Sequence, residues 1–300
     1  MKRTIFHKSI TFLAKKGLFD SLSDEGYLKL LFWSRMCRKL DLKHPRTFNE
    51  KVQWLKLYDR KPIYTTMVDK FEVKKYVADI IGKEYIIPTL GVWDKFDDIN
   101  FEKLPNQFVL KCTHDSGGLV ICKDKKFFDY DKARQRIEKS MRNNYYLHTR
   151  EWPYKNIKPR IIAEEYMEDQ ETKELRDYKF YTFNGKTKAL FIATGRQSNE
   201  ETCFDYFDTE FNHLPFTWGQ PNAKETPKKP FNFEKMIDIA NKLSAGIPHV
   251  RVDLYEVNTK IFFGELTFCD GSGMTPIEPY EWDLKLGDWI NLPIKGSIIH

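Results

Sequence analysis

Two acidic residues near the end of the chain carry the clearest chemical signal. Asp253 and Glu265 lie in RVDLYEVNTKIFFGELTF, residues 251–268, where two runs of alternating apolar residues flank a short turn. If the hairpin closes with Val257 opposite Ile261, the two acids face each other with Cβ atoms roughly 5 Å apart. Two like charges in this position repel each other unless a cation lies between them. The spacing therefore indicates either a cation site between the two carboxylates or a pair of acids solvated at a sheet edge.

A lysine and a glycine-bearing turn form a second group of candidates. QFVLKC, THDSGG and LVICKD predict a strand, a turn and a strand, with Lys111 near the end of the first strand. The Walker pattern G-x-x-x-x-G-K-[ST] is absent, and a glycine pair alone does not identify a phosphate loop. Taken singly, these features are typical of an exposed lysine and an ordinary turn, so their order along the chain carries the argument.

The elements that must position these residues begin with helices. In residues 1–65, SDEGYLKLLFWSRMCRKL starts with Ser23 as a cap, and TFNEKVQWLKLYD has Thr47 and Glu50 at the spacing of a capping box. Residues 69–81 repeat apolar positions at helical spacing and end before a glycine, which predicts an amphipathic helix.

Strands dominate after Pro88. RIIAEEYM predicts a strand that ends in acids, and ELRDYKFYTFNGKTKALFIATGR predicts a hairpin around Asn184-Gly185. The segment 196–230 is rich in Pro, Asn and aromatic residues and is predicted to be irregular, and FNFEKMIDIANKLSAG predicts a further helix. The fold class is therefore α+β, with antiparallel sheets flanked by helices and a division near residue 165.

Composition narrows the class of protein. The five cysteines are odd in number and lack a C-x-x-C spacing, which argues against a disulfide framework and a zinc site. The sequence contains no apolar run of the roughly 18 residues that a membrane span needs and no apolar signal core, so we expect a cytoplasmic protein.

Positive charge is concentrated at the start of the chain. Residues 1–61 carry 15 Lys or Arg and 6 Asp or Glu, a net +9 in a chain whose total is +6. Signatures of nucleic-acid-binding modules are absent, so no nucleic-acid partner is predicted. Two interpretations stay open: a solvated basic helix packed on the protein, or peripheral contact of MKRTIFHKSITFLAKKG with an anionic membrane or a polysaccharide-assembly system.

Taken in order, the motifs resemble the TupA-like branch of the ATP-grasp superfamily, which is linked to teichuronopeptide and other surface-polysaccharide biosynthesis. The resemblance covers about residues 40–293 and is most specific in FNEKVQWLKLYDR, FVLKCTHDSGG, REWPYKNIKPRIIAEEYM, ELRDYKFYTFNGK, RVDLY and GELTFCDGSG. It implies a basic helical extension (1–65), an ATP-grasp N-terminal subdomain (66–165) and a C-terminal subdomain with the metal site (166–300).

The resemblance implies a nucleotide site for ATP. Lys70 and Lys111 would contact phosphate oxygens as point charges, and the turn would let backbone N–H groups approach them without a Cβ in the way. Lys179 alternates with Asp177 on its strand and faces either the nucleotide or solvent. Glu174 stands where the family places a ribose-binding acid, with Glu171 as a near competitor. The remaining implied nucleotide contacts are Ser116, Gly117 and Gly118 in the turn, and Glu164, Glu165 and Met167 at the adenine hinge.

The resemblance also implies the metal, catalytic and acceptor residues. Asp253 and Glu265 would hold Mg²⁺ with the ATP phosphates completing its coordination, and Thr267 stands where related enzymes commonly have a metal-binding Asn. Arg251, opposite Thr267, would neutralise a transferring phosphoryl group or an acyl phosphate, with Lys111 as the second catalytic cation. The acceptor candidates are Arg150, Trp152 and Tyr154 in REWPYKN.

The implied activity is that of an ATP-dependent carboxylate–amine ligase. An acyl phosphate would form on a small-molecule or glycan carboxylate, and the amine of an amino acid would displace phosphate. The resemblance points to a uronic acid of a capsular or cell-envelope polysaccharide. The alternatives are a kinase, a glycosyltransferase and a non-enzymatic scaffold; the glycosyltransferase lacks a D-x-D motif, since Asp205 and Asp208 have the wrong spacing.

Overall fold

Two antiparallel sheets form the frame of the protein in the computed structural model, which describes residues 3–170, 175–195 and 201–294. The predicted α+β class is confirmed. The helices are α1 (Ile5–Lys15), α2 (Asp24–Met36), α3 (Phe48–Tyr58), α4 (Ile63–Val68), α5 (Glu72–Ile81), α6 (Tyr130–Met141), α7 (Tyr145–Thr149), α8 (Phe233–Leu243) and α9 (Tyr280–Asp288). The strands are β1 (Thr89–Trp93), β2 (Phe108–Cys112), β3 (Leu119–Cys122), β4 (Ile161–Glu165), β5 (Asp177–Phe183), β6 (Lys186–Thr194), β7 (Cys203–Phe207), β8 (Thr217–Trp218), β9 (His249–Val257), β10 (Lys260–Thr267) and β11 (Ile277–Glu278).

The first sheet has the order β1-β4-β2-β3. Burial alternates along β2, so Phe108 and Leu110 enter a core that α6 closes with Ile137. The opposite face of the sheet is polar, because Lys111 and Glu164 alternate with these buried residues on adjacent strands. This sheet can therefore present a lysine and an acid side by side.

The second sheet has the order β10-β9-β5-β6-β7 and carries the largest core. All seven residues of the central strand β5 are buried, since α8 covers one face and loops and helices cover the other. The predicted hairpin around Asn184-Gly185 joins β5 to β6, with φ of 51° and 78° at the two turn residues. Prediction of an irregular 196–230 was wrong where β7 pairs with β6 and β8 pairs with β11.

The closing hairpin keeps the predicted pairing of the acids but not the predicted turn. Val257 pairs with Lys260 and not with Ile261, because the turn contains only two residues. Gly264 is then an extra residue on β10, which shifts the register by one and returns Glu265 opposite Asp253. A Cβ at Gly264 would lie 3.0 Å from the carbonyl oxygen of Asp253, so the bulge favours glycine.

The basic N-terminal helices pack against the remainder of the chain. The capping box of Thr47 and Glu50 is present at the start of α3, and Ser23 caps α2, as predicted. Asp283 on α9 accepts hydrogen bonds from the backbone and side-chain nitrogens of Asn49, at 3.1 and 3.0 Å. The predicted boundaries after residues 65 and 165 stay a prediction. Within the described ranges, every helix is too short or too polar to cross a membrane.

Candidate active site

A buried acid on the first sheet joins two lysines. Lys111 on β2 and Lys74 on α5 each approach one carboxylate oxygen of Glu164 at 2.5 Å. Burial acts to raise the pKa of Glu164, but the two lysines outweigh it and hold the pKa below its ordinary value. Of the other hinge candidates, Glu165 is exposed with its N–H bonded to the Pro88 carbonyl, and Met167 is half-buried beyond the strand.

Lys70 supports the glycine-bearing turn. Its Nζ donates to the Asp115 carbonyl oxygen at 2.5 Å, and its backbone N–H donates to the Thr113 carbonyl oxygen at 3.1 Å. The Asp115 carboxylate accepts from the Gly118 N–H at 3.1 Å and from the Ser140 hydroxyl. The turn is thus held from both sides while its tip faces outward.

The three turn residues have different surroundings. Ser116 and Gly117 are exposed, and a Cβ at Gly117 would meet nothing closer than 3.6 Å. A Cβ at Gly118 would lie 2.4 Å from Ser140 Oγ and 2.5 Å from Cys112 Sγ. Gly118 is therefore required for packing, whereas the backbone of Ser116 and Gly117 is open to a ligand.

Arg251 is the centre of a charged cluster on the second sheet. Its Nε and Nη2 donate to the two oxygens of Asp253 at 2.6 and 2.7 Å, and its Nη1 donates to Asp270 at 2.5 Å. Nη2 also reaches Glu265 at 3.2 Å and Thr267 at 3.1 Å. The cross-strand neighbour Lys179 donates to Asp253 and lies 2.5 Å from Asp177.

This cluster explains how the facing acids coexist. Asp253 is fully buried, and Arg251 and Lys179 occupy both of its oxygens. The facing acids can therefore coexist without a bound cation, because Arg251 on the same strand and Lys179 on the adjacent strand β5 supply positive charge. The predicted metal site stays a prediction. Burial raises the pKa of Asp253 to about 6 against the opposing effect of Arg251 and Lys179, so the carboxylate is ionised at neutral pH.

Glu265 differs from its partner because it reaches a cavity. Its side chain is 39% accessible. Burial acts to raise its pKa, but Lys70, Lys179, Arg251 and Lys111 together lower the pKa to about 2. Lysines of the first sheet and the adjoining segment thus face an acid of the second sheet.

Only part of the predicted metal set fits a metal ion. Asp253 has no free oxygen, whereas Glu265 uses Oε1 for Arg251 and Thr267 and leaves Oε2 without a hydrogen bond to any described residue. In the described part of the chain, no group of three or more His, Cys, Asp or Glu is arranged to hold a metal. The residues present therefore fit an ion held at Glu265 and completed by a ligand, and do not fit one held at Asp253.

The cavity has a volume of about 1060 Å³ and is lined by three parts of the chain. Lys70 and Ser116 come from the region of the first sheet. The hairpin and the segment after it contribute the acids and Arg251. Arg3 before α1, the end of α2 with the residues after it, the segment before β4 and the start of α9 contribute the rest. Its lining includes Arg3, Arg35, Arg38, Tyr145, Glu151, Tyr154, Arg251, Glu265, Thr267 and Asp270.

Glu151 lines the cavity and was missed by the sequence reasoning. It is 2% exposed, and its Oε1 has no hydrogen-bond partner among the described residues. Burial raises the pKa of Glu151 to about 7, against the opposing charge of Lys56. Lys56 Nζ in turn donates to the carbonyl and hydroxyl oxygens of Ser272, at 2.9 and 2.8 Å. REWPYKN contained the right segment, but local sequence does not reveal which of its side chains points inward.

The acceptor candidates are divided by the structure. Tyr154 lines the cavity and packs against Tyr145, with ring centroids 4.7 Å apart. Arg150 is 2% exposed and lies outside the lining, since its guanidinium stacks 4.3 Å from the Tyr27 ring and donates to the Asp20 carbonyl oxygen at 2.9 Å. Trp152 begins a short 3-10 helix and is half-buried outside the lining.

One predicted residue cannot be placed, and one residue of the site was missed. Glu174, with its competitor Glu171, lies outside the described residues. Asp270 was not predicted, although it bridges Arg251 and the Tyr181 hydroxyl. It precedes a run of left-handed residues, Gly271, Ser272 and Gly273, with φ from 53° to 58°. The two glycines of CDGSG are the sequence signal for this left-handed turn after Asp270.

Comparison with known proteins identifies the class and then the family. The sequence profile of the TupA-like ATPgrasp family matches residues 50–291, which is most of the chain. The protein has the ATP-grasp fold, and the resemblance predicted from its motifs is confirmed. The chain belongs to the TupA-like ATP-grasp family.

Similarity to solved structures is low. D-alanine–D-alanine ligase from Bacillus anthracis in complex with ATP is 15% identical with a TM-score of 0.38, over 67% of this chain and 55% of that chain. The ADP complex of PurK, N5-carboxyaminoimidazole ribonucleotide synthetase, is 13% identical with a TM-score of 0.43, over 73% of this chain and 50% of that chain. The chain thus spans about half the length of these two proteins. No curated protein shows significant similarity to the chain.

Proposed function

We propose that the protein is an ATP-dependent carboxylate–amine ligase that acts through an acyl phosphate. The observation that carries the proposal is the convergence of charge on Glu265. Lys70 and Lys111 act on it from one side, and Arg251 and Lys179 act on it from the other. A polyphosphate needs several cations and an acid that can share a metal. Lys70, Arg251 and Glu265 border a single cavity, and Lys111 and Lys179 lie behind its lining.

The proposed reaction has two steps. A carboxylate oxygen of the first substrate attacks the γ-phosphorus of ATP, and ADP leaves with the bond electrons. The amine of the second substrate then attacks the acyl carbon, phosphate leaves, and the amine loses a proton. No side-chain nucleophile is needed, so the chain's residues act by binding and by stabilising charge.

Individual residues have distinct proposed roles. Lys70, Lys111 and the backbone of Ser116 and Gly117 bind phosphate oxygens, and Arg251 stabilises charge on the transferring group. Magnesium bound with ATP would supply Lewis-acid neutralisation of phosphate charge, and Glu265 is the residue that would hold it.

Glu151 is proposed to accept the proton of the amine. It borders the same cavity as Arg251 and Glu265, and its pKa of about 7 is suited to a base at neutral pH. The substrates proposed are an amino acid and a uronic acid of an envelope glycan, for which a roomy cavity with cations and the paired rings of Tyr145 and Tyr154 is suitable.

The ligase is tested by trapping the acyl phosphate. Purified protein is incubated with ATP, magnesium and a panel of uronic acids, and hydroxylamine replaces the amine. The expected result is a hydroxamate together with ADP and phosphate. Glu265→Gln is expected to abolish it, while Glu281→Gln, an exposed acid outside the cavity, keeps full activity.

Other outcomes identify the alternatives. A stable phosphorylated product formed without an amine or hydroxylamine indicates a kinase. Binding of a nucleotide sugar with no binding of ATP indicates a glycosyltransferase. Full activity of Glu265→Gln would overturn the assignment of this residue even if the ligase reaction is observed.

We also propose that α1 holds this cytoplasmic enzyme at an anionic membrane surface. Its apolar side chains are exposed, with Ile5 84%, Phe6 63% and Phe12 59% accessible, and Lys8, Lys15 and Lys16 lie on the same helix or directly after it. An exposed apolar face beside lysines is typical of interfacial helices.

Vesicle sedimentation tests the membrane contact. Wild type is expected to sediment with phosphatidylcholine vesicles that contain phosphatidylglycerol and to stay in solution with phosphatidylcholine alone. Phe12→Ser should weaken sedimentation. The Phe127 side chain is 78% accessible and lies far from α1 in the sequence, so Phe127→Ser should leave sedimentation unchanged. Equal sedimentation of both variants would contradict the proposal.

A further inference from the structure

The part of the chain before the family match supplies three positive charges to the cavity. Three arginines, Arg3, Arg35 and Arg38, line it, and all precede residue 50, where the TupA-like match begins. The cavity wall on this side is therefore built by a part of the chain that the family profile does not describe.

Arg3 and Arg38 are held in place by neighbours. Arg3 Nε donates to the Ser34 carbonyl oxygen at 3.0 Å, and its Nη2 donates to the Thr11 hydroxyl at 2.6 Å. Arg38 Nη2 lies 2.6 Å from Asp283. The charge of Arg38 is thus neutralised, whereas Arg3 is fixed by two uncharged groups.

Arg35 has neither kind of partner. It is half-buried, and among the described residues no ion pair or hydrogen bond engages its guanidinium. Burial lowers its pKa first, and the like charge of Arg3 lowers it further. A guanidinium group without an acid partner is costly at the half-buried position of Arg35, and the exposed Arg3 on the same cavity wall adds a like charge, unless an anion joins them.

The acids of the cavity do not meet this need. Asp270 and Glu265 are engaged by Arg251, and Asp283 is engaged by Arg38. Glu278 also lines the cavity and is exposed, and among the described residues it forms no ion pair with Arg35. Glu151 lines the same cavity as Arg35, but among the described residues the two side chains form no ion pair. The unsatisfied positive charge therefore faces the interior of the cavity beside the proposed acceptor residues.

We propose that Arg3 and Arg35 form a binding site for a phosphate or carboxylate group of the substrate, distinct from the carboxylate that reacts. The substrate would be an acidic sugar that carries a second anionic group, and guanidinium groups bind such oxyanions through two parallel hydrogen bonds. The inference rests on the proposed function only in treating the cavity as the substrate site.

The test measures binding of defined probes by calorimetry. The probes are glucose, glucuronic acid, glucose 1-phosphate and glucuronic acid 1-phosphate, each titrated with and without a non-hydrolysable ATP analogue and magnesium. The expected order of affinity is glucose weakest and the doubly anionic probe strongest. Comparison of the phosphate and carboxylate probes identifies which oxyanion the site takes.

Matched arginine variants locate the site. Arg35→Gln is expected to weaken binding of the doubly anionic probe by roughly 10- to 100-fold, the range of a charge-assisted hydrogen bond, and Arg3→Gln to weaken it by a similar factor. Arg136→Gln, an exposed arginine of α6 outside the cavity, should bind as wild type. Affinity for the ATP analogue should be unchanged in all three.

The outcomes separate this inference from the proposed function. Equal probe affinity in wild type and Arg35→Gln, or no anionic probe binding to protein that binds the ATP analogue, would overturn the anion site alone. Probe binding that depends on Arg35 in protein that fails to bind the ATP analogue would support the anion site and overturn the ligase.

Discussion

Replacing Lys179 with Met tests whether this lysine stabilises the buried charged cluster around Arg251 or binds nucleotide. Lys179 is 6% exposed and contacts Asp177 and Asp253. Without it, Arg251 alone faces the acids of the cluster. Removal of one partner from a buried ion pair typically costs about 3–5 kcal/mol.

The expected loss of stability is smaller than this, because Asp253 can take up a proton when Lys179 is removed and its buried charge then disappears. Its pKa is already about 6 in the intact cluster and would rise further without the lysine. Protonating a group of pKa 6 at pH 8 costs about 2.7 kcal/mol, and a higher pKa lowers this cost, so we expect a loss of up to roughly 3 kcal/mol at pH 8 and a smaller loss at pH 6. At about 2–4 °C for each kcal/mol, the melting temperature should fall by up to roughly 6–12 °C at pH 8.

Thermal unfolding at pH 6 and pH 8, with Lys75→Met as the control, measures this effect. Lys75 is an exposed lysine of α5, with 82% of its side chain accessible, and its replacement should leave the melting temperature almost unchanged. A Lys179→Met variant that melts like wild type at pH 8 but binds ATP weakly would refute the reasoning and make Lys179 a nucleotide ligand.

Four further predictions concern the site. In wild type, magnesium and ATP should raise the melting temperature, and Glu265→Gln should remove this rise while Glu281→Gln keeps it; retention in both would contradict a metal-holding role for Glu265. Activity should increase as the pH passes about 7, the pKa of Glu151, because the ionised carboxylate is the base, and Glu151→Gln should lower and flatten this profile. Since that raised pKa makes wild type less stable as the pH rises from about 4.5 to 7, Glu151→Gln should gain stability over wild type towards pH 8, as measured by urea unfolding. Gly118→Ala should cost about 1–3 kcal/mol in the same unfolding assay because its Cβ would clash with Ser140 and Cys112, whereas Gly117→Ala should be neutral; equal costs would refute the packing argument.

The sequence was sufficient where the pattern is local. Alternation in the closing hairpin predicted that Asp253 and Glu265 face each other, and the Thr47 and Glu50 spacing predicted the start of α3. The turn register was not predictable in the same way, because alternation permits more than one turn length. The bulge at Gly264 restores the pairing of Asp253 with Glu265. The glycine itself was the sequence signal for this bulge.

The charge balance of the site depends on contacts between distant segments. Lys179 neutralises Asp253 because β5 lies beside β9, a neighbour relation that no local pattern contains. Likewise, Glu151 points into the cavity while Arg150, one residue earlier, packs on Tyr27. Arg150 has a left-handed φ of 52°, and the resulting change of direction is invisible to periodicity.

The capping box of α3 bears on where the folding unit starts. Thr47 and Glu50 form two reciprocal hydrogen bonds at the start of α3. The family match begins at Glu50, so it includes one of these residues and leaves out the other. A fragment cut at that point would lose the cap, worth about 0.5–2 kcal/mol, along with the backbone and side-chain nitrogens of Asn49 that bind Asp283. The family match thus leaves out residues that stabilise the part of the fold that it covers.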